Sequence, residues 1–209
     1  ISAVLSQSFP TYKTQGNMNS ETGLPLTLLH VEPSHKMVVT EMGMCNFGEI
    51  SELSLIARPD IGVLTNIGVC HIEHLGSQEG ILKAKMEIVD GMGENGVLVI
   101  NGDDPFLSTV TDTVQKRVTY GLNHPEYDYY AYNVAVLSEG VSFTAKTPLG
   151  DLDVHLAIDG IHNVYNSLAA IAVGVLCGMD LTSIGEGLHH MEKAPMRQNI
   201  IKENGMTLI

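Results

Sequence analysis

The sequence has few aromatic residues, few cysteines and few positive charges. It contains no tryptophan and only four phenylalanines in 209 residues, and its three cysteines, Cys45, Cys70 and Cys177, lie far apart. An odd, scattered set of cysteines does not match the disulfide framework of a small secreted domain, so we expect a reducing, cytoplasmic location. The 11 basic residues are outnumbered by 24 acidic ones. This balance argues against a nucleic-acid-binding surface.

Long hydrophobic runs are also missing. The longest apolar stretch, residues 164–177, is shorter than the roughly 18–20 residues that span a bilayer, so we expect no membrane insertion. The length is sufficient for one sizeable hydrophobic core. Both ends read as cut, because residues 1–6 resemble the tail of a helix and residues 206–209 open a strand. We therefore expect a domain excised from a longer protein, or one with further flanking residues.

Apolar runs and helical periodicity alternate through the first half of the chain. Short apolar runs predict parallel strands at residues 36–41, 61–67 and 97–100. Apolar residues at helical spacing predict helices at residues 21–30, 48–58 and 77–92. This order is typical of βαβ units, so we predict an α/β fold with a mostly parallel sheet flanked by helices, over about residues 1–116 and 160–209. Apolar and polar residues alternate in between, which predicts a small antiparallel sheet at about residues 117–159.

Candidate site residues follow the predicted strands. Ligands bind beyond the carboxyl ends of the strands in open parallel sheets, where the sequence has Glu41, the loop to His71, and residues 101–104. Lys85 lies on the apolar face of its helix, whereas Lys83 is spaced to pair with Glu79 and Glu87. A lysine on a buried face is costly unless it is paired or its charge changes. Glu41, His71 and a modified Lys85 would form a site for a hard divalent cation, although Glu41 and His71 could equally be loop caps.

Three further readings remain open at this level. Cys70, His71 and His74 suggest zinc, but the set lacks a fourth ligand. Asn163 is placed to be a helix N-cap, the commoner role, or to read the edge of a nucleotide base with its amide. The sequence has no GxxxxGK[ST] phosphate loop, which counts against a complete ATPase.

Several segments, in order, resemble the central domain of the Mur ligases. They are EMGMCNFGEISELSLIARPDIGVLTNIGVCHIEHLGSQEGILKAKMEI, INGDDP and GIHNVYNSLAA. The stretch TQGNMNSETGLPLTLL resembles the family's substrate-side motif, and its GN-x-N form favours the branch that adds D-Ala-D-Ala. The resemblance covers nearly the whole chain and implies a three-layer mononucleotide-binding fold. It also implies a phosphate loop before residue 1, an N-terminal UDP-binding domain and a C-terminal domain.

The resemblance assigns roles to individual residues. It implies that Glu41 and His71 bind Mg²⁺ together with Lys85, carbamylated by CO₂. It implies that Asn163 contacts the adenine of ATP, with Asn166 beside it, and that Arg197 lies near the phosphates. The family's usual glycine before that arginine is replaced by Met196. Substrate contacts are implied for three residues of the substrate-side motif: Thr14, Asn17 and Asn19.

The implied reaction is an ATP-dependent amide-bond formation. UDP-N-acetylmuramoyl-tripeptide and D-Ala-D-Ala would be the small-molecule partners, joined through an acyl phosphate. One alternative is a sibling enzyme, either an amino-acid-adding Mur ligase or a folylpolyglutamate synthase. Another is a non-catalytic module that binds a nucleotide or a partner protein. The identity of the acceptor substrate would distinguish a sibling enzyme from the branch that adds D-Ala-D-Ala. Loss of the phosphate loop in the native gene would favour the non-catalytic module.

Overall fold

The computed structural model describes residues 1–111 and 113–191, together with the backbone of residues 201–203 and 206–208. The α-helices are α1 (Ser2–Leu5), α2 (Gly23–Leu29), α3 (Glu49–Ala57), α4 (Ile72–Leu75), α5 (Gln78–Met86), α6 (Ile161–Leu176) and α7 (Leu181–His189). The strands are β1 (Thr11–Lys13), β2 (Met37–Val39), β3 (Ile61–Leu64), β4 (Val97–Asn101), β5 (Lys116–Leu122), β6 (Tyr129–Val136), β7 (Val141–Thr147), β8 (Gly150–Leu156), β9 (Ile201–Glu203) and β10 (Met206–Leu208). Arg197 lies outside the described residues.

One six-stranded sheet, in the order β3-β4-β5-β6-β7-β8, forms the centre of the molecule. Strands β3 to β6 pair in parallel, and β7 and β8 continue the same sheet in antiparallel pairing. The predicted antiparallel strands are therefore present as β6–β7–β8, but they continue the central sheet, and the antiparallel pairing begins at β6–β7 rather than at residue 117. Alternating polarity identifies strands with one wet face, but it does not reveal that β6 also pairs with a parallel neighbour.

The first two strands form a small sheet of their own. The segment at Thr11–Lys13, which was not predicted as a strand, pairs in parallel with Met37–Val39. Among the described residues no ladder joins β2 to β3, so the first predicted strand is not part of the parallel sheet that contains the next two. Periodicity along the chain identifies strands, whereas their neighbours are decided by the tertiary fold.

Two hydrophobic clusters cover opposite faces of the central sheet. Val99 of β4 packs in a cluster with Leu168 and Ile171 of α6. Its neighbours Leu98 and Ile100 pack in a second cluster with Ile81 of α5. Successive side chains of a strand point to opposite faces, so the arrangement is helix, sheet, helix, as predicted. No helix in the described part of the chain combines the length and apolar character needed to cross a bilayer.

Helix α5 is shorter than its sequence periodicity predicted. It begins at Ser77, whose side chain accepts a hydrogen bond from the Gly80 amide, and it ends at Met86 rather than at Met92. A 3-10 turn, Glu87–Gly91, follows. This turn packs against α3 so closely that a Cβ on Gly91 would lie 2.0 Å from the Ser54 carbonyl oxygen. Contact with another helix, which periodicity does not show, therefore ends α5.

Candidate active site at the carboxyl edge of the sheet

The loops that follow β2, β3 and β4 carry two of the predicted site residues and the polar turn after β4. Glu41 follows β2, His71 lies beyond β3, and β4 runs into the turn Asn101–Asp104. The strands β3 and β4 are parallel neighbours, so the loops that follow them lie at one edge of the central sheet, whereas β2 belongs to the small sheet with β1. The three substrate-side candidates lie between β1 and α2, Lys85 is on α5, and Asn163 and Asn166 are in the first turns of α6.

Glu41 is in contact with the predicted substrate-side residues. Asn19 Nδ2 donates a 2.9 Å hydrogen bond to Glu41 Oε1. The Glu41 amide donates to Thr14 Oγ1 at 3.0 Å, and the Asn19 amide donates to the Asn17 carbonyl at 2.8 Å. The structure thus joins four candidates that are up to 27 residues apart in sequence.

Lys85 reaches from α5 into the loop after β3. Its Nζ donates a 2.7 Å hydrogen bond to the carbonyl oxygen of Asn66. Burial lowers the pKa of Lys85, while the Asp104 carboxylate and Cys70 act in the opposite direction. An amine with a lowered pKa is more often neutral, and a neutral amine is the form that reacts with CO₂.

Lys83, two residues earlier, does not form the predicted ion-pair ladder. Its ammonium lies 5.6 Å from the centre of the Phe47 ring. Both carboxylate oxygens of Glu87 accept instead from the Gly48 amide, at 2.9 Å each. The spacing that suggested the ladder is correct, but the N-terminus of α3 competes for Glu87.

His71 occupies an unusual backbone position. Its φ of 65° is left-handed, and it stands at the N-terminus of the short helix α4. Nearby, hydrogen bonds from the Asn46 side chain and from the Cys45 amide lower the pKa of Glu49, and the charge of His71 adds a smaller effect in the same direction. Among the described residues no three His, Cys, Asp or Glu side chains are grouped to hold a metal ion. The zinc reading of Cys70, His71 and His74 is therefore not supported.

Asn163 is not the N-cap of α6. That position belongs to Gly160, whose φ is 102°, and Asn163 lies three residues into the helix. Its Nδ2 donates to the Asp159 carbonyl at 2.9 Å, and its Oδ1 lies 3.4 Å from Nδ2 of Asn166. The prediction that Asn163 caps the helix was wrong, because the glycine with positive φ lets the helix begin earlier.

The turn after β4 contains organising residues to which the sequence analysis gave no role. Asn101 Nδ2 donates to the Thr65 carbonyl at 3.0 Å, and Asp104 Oδ2 accepts from the Ile67 amide at 2.8 Å. Asp103 Oδ2 accepts from the Leu122 amide at 2.7 Å and from the Tyr165 hydroxyl at 2.9 Å. The signal in the sequence was the polar run Asn101–Asp104 directly after a buried strand.

Comparisons with known proteins agree with this architecture. The family model described as the Mur ligase middle domain matches residues 1–174. The chain is 40% identical over 210 residues to UDP-N-acetylmuramoyl-tripeptide–D-alanyl-D-alanine ligase of Bacillus subtilis, covering 100% of this chain and 45% of that protein. A crystal structure of MurF from Acinetobacter baumannii superposes with a TM-score of 0.91 at 30% identity, covering 98% of this chain and 45% of that one. MurF from Thermotoga maritima in complex with ADP gives a TM-score of 0.84 at 27% identity, covering 98% and 47%. The chain thus spans about half the length of these relatives.

Proposed function

The chain belongs to the Mur ligase family as a middle domain, and we propose that it is the ATP-binding part of a ligase that adds D-Ala-D-Ala to UDP-N-acetylmuramoyl-tripeptide. The relative from Bacillus subtilis carries that activity in its name. The complete enzyme would include an N-terminal UDP-binding domain, a phosphate loop and a C-terminal domain, and it would act in the cytoplasm in peptidoglycan synthesis.

The observation that carries this proposal is the contact between Glu41 and Asn19. In a ligase that activates a carboxylate with ATP, the group that holds the metal must lie beside the group that holds the substrate. Here a proposed metal ligand accepts a 2.9 Å hydrogen bond from a proposed substrate-side asparagine. The Thr14 hydroxyl, which accepts from the Glu41 amide at 3.0 Å, fixes the backbone at the same point.

The donor set is suited to Mg²⁺ rather than to a metal held by the protein alone. Mg²⁺ is usually bound by one or two protein groups together with substrate phosphates and water. Glu41 and His71 would hold the ion, and carbamylation of Lys85 would add an oxygen donor. When bound, the metal supplies positive charge that screens the phosphates.

Two features of Lys85 support its proposed carbamylation. Burial lowers its pKa, and the Nζ of a carbamylated lysine still carries one hydrogen. That hydrogen can keep the 2.7 Å bond to the Asn66 carbonyl, which would direct the new carboxylate away from the loop. The change converts a cation into an anion at the edge of the sheet.

The reaction would have two steps. In the first, the terminal carboxylate of the tripeptide attacks the γ-phosphorus of ATP, and ADP leaves. In the second, the amine of D-Ala-D-Ala attacks the acyl carbon, loses a proton and expels phosphate. On the nucleotide side, Asn163 and Asn166 would contact adenine, and Arg197 would approach the phosphates.

The experiment is a substrate panel on the full-length protein, with phosphate release from ATP as the readout. We expect release only when UDP-N-acetylmuramoyl-tripeptide and D-Ala-D-Ala are both present. Preference for a single amino acid, or for folate with glutamate, would identify a sibling ligase instead. ATP binding without turnover on any pair would support the non-catalytic module.

A further inference from the structure

One peptide group links Asp104 to Lys85. The peptide between Asn66 and Ile67 presents its N–H to Asp104 Oδ2 at 2.8 Å and its carbonyl oxygen to Lys85 Nζ at 2.7 Å. In a planar trans peptide the N–H and C=O point in opposite directions. A carboxylate that fixes the N–H therefore fixes the direction of the carbonyl that receives the lysine.

Asp104 is itself held firmly. The residue is only 8% exposed, and its Oδ1 accepts from the amides of Phe106 and Leu107 at 3.0 and 2.9 Å. The Asn101 side chain supports the same loop by donating to the Thr65 carbonyl at 3.0 Å. The turn after β4 therefore holds the loop that receives Lys85, on the proposed metal-binding side of the site.

The preceding residue, Asp103, points to a different part of the site. Its Oδ2 accepts from the Leu122 amide at the end of β5 and from the Tyr165 hydroxyl on α6. Tyr165 lies between Asn163 and Asn166, the proposed adenine contacts. One oxygen thereby fixes the first turns of α6 relative to the edge of the sheet. The other oxygen, Oδ1, is buried and lacks a hydrogen-bond partner among the described residues; it lies 3.7 Å from His124 Nε2.

We propose that Asp103 and Asp104 are positioning residues for different halves of the site: Asp104 aims the Asn66 carbonyl and with it Lys85, and Asp103 sets the nucleotide-contacting turns of α6. This inference rests on the proposed function. It predicts that two adjacent carboxylates affect different kinetic parameters, which a general contribution to folding would not do.

The chemistry of the two sites predicts different responses to asparagine. In the Asp103→Asn variant the side-chain amide oxygen can take the place of Oδ2 and accept both bonds, so this variant should recover most of what Asp103→Ala loses. Asp104 accepts with both oxygens, so Asp104→Asn must turn an NH₂ group toward an N–H donor on one side. Burying two hydrogen-bond donors that face each other without an acceptor is unfavourable.

The test uses the full-length protein, with kcat measured at saturating ATP and ADP affinity measured by calorimetry. We expect Asp104→Asn to lower kcat about 10-fold with little change in ADP affinity, and Asp103→Ala to weaken ADP about 10-fold with little change in kcat, the size usual for outer positioning groups. Tyr165→Phe should weaken ADP in the same way as Asp103→Ala, and the double variant should be no worse than either. Asp128 is the matched control, because it accepts from the Thr119 amide of β5 at 2.8 Å without contacting the site residues.

The ratio of the kcat effect to the affinity effect decides the matter. For each variant, the fold-loss of kcat is divided by the fold-loss of ADP affinity. The inference is supported if this ratio is at least about 10-fold higher for Asp104→Asn than for Asp103→Ala, beyond any effect of Asp128→Ala. Any smaller difference overturns it. If Asp104→Asn does not fold, Asn101→Ala, which releases the Thr65 carbonyl, replaces it. A wild-type protein without turnover would refute the proposed function instead, so the two failures are distinct.

Discussion

At the scale of single residues, Lys83 and Lys85 show how two positions on one helix acquire different chemistry. Lys85 enters the site and donates to the Asn66 carbonyl, and burial lowers its pKa. Lys83 stays at the surface over the Phe47 ring. A rotation of about 200° along the helix separates the two side chains, so only one of them meets the loops at the edge of the sheet.

We therefore predict that Lys85 is carbamylated in the full-length enzyme and that Lys83 is not. With ¹³C-bicarbonate and Mg²⁺, a carbamate carbon signal should vanish in Lys85→Ala and persist in Lys83→Ala. Activity should fall about 100-fold in the first variant, as expected when a group that holds a metal is lost, and little in the second. A fully active Lys85→Ala enzyme would rule out the assigned role.

Asn163 supplies a second prediction at this scale. It is not the N-cap of α6, and its amide contacts the Asp159 carbonyl and the Asn166 side chain. If the amide reads adenine, Asn163→Asp should weaken ATP about 10-fold, the effect of losing one well-placed hydrogen bond.

The control for Asn163 is the identity of the base. Loss of base reading should reduce the preference for ATP over GTP, whereas a distorted helix should weaken both nucleotides equally. Calorimetry with ADP and GDP measures the preference for adenine over guanine. An unchanged preference would show that the bond from Asn163 to the Asp159 carbonyl is its whole role.

At the scale of elements, the N-terminus of α3 is capped by a residue from another segment. Its own N-cap is Gly48, with φ of 89° and no side chain to accept a hydrogen bond. Glu87 supplies the acceptor, receiving the Gly48 amide at 2.9 Å from each oxygen and the Ser51 amide at 3.4 Å. The 3-10 turn that ends α5 is thereby joined to α3.

We predict that Glu87→Ala lowers the free energy of unfolding by about 1–2 kcal/mol, the usual cost of removing a helix cap. Glu52→Ala is the matched control, since Glu52 lies in the first turn of α3 and should contribute only about 0.5 kcal/mol through the helix dipole. Urea unfolding of the full-length protein gives both values. Equal losses would mean that Glu87 acts only through its charge.

At the scale of the whole molecule, a single sheet passes from parallel to antiparallel pairing. Strand β6 pairs in parallel with β5 and in antiparallel with β7, so the site at the parallel end and the meander at the other end share one backbone scaffold. Helix α6 packs over β4, β5, β6 and β7. The helix that bears the proposed adenine contacts therefore spans the point at which the strand pairing changes from parallel to antiparallel.

The missing phosphate-loop motif leads to a prediction for the 209-residue chain alone. It should bind ATP at least about 100-fold more weakly than the full-length protein, because two charge-assisted hydrogen bonds from loop amides are worth about 1.5–3 kcal/mol each. Calorimetry on both proteins under the same conditions makes the comparison. Equal affinities would show that the nucleotide is held by α6 and its neighbours without a phosphate loop.

The sequence alone determined most element types and the α/β architecture, because hydrophobic periodicity and turn residues act locally. The family followed from the resemblance of its motifs to those of the Mur ligases. The sequence also located Glu41, His71, Lys85 and Asn163 as candidates, through motifs whose order along the chain is specific. Their roles as ligands and contacts remain predictions.

Only the tertiary structure decided which groups meet. Hydrogen bonds between Asp104 and Ile67, between Glu87 and Gly48, and between Asn19 and Glu41 join segments that are distant in sequence. The parallel pairing of β6 with β5 joins nearer segments, but the local pattern does not show it. Hydrogen bonds depend on distances of a few tenths of an ångström, and those distances follow from the packing of whole elements. The end of α5 at Met86 shifted from its predicted place for the same reason, whereas the earlier start of α6 follows from the local backbone of Gly160.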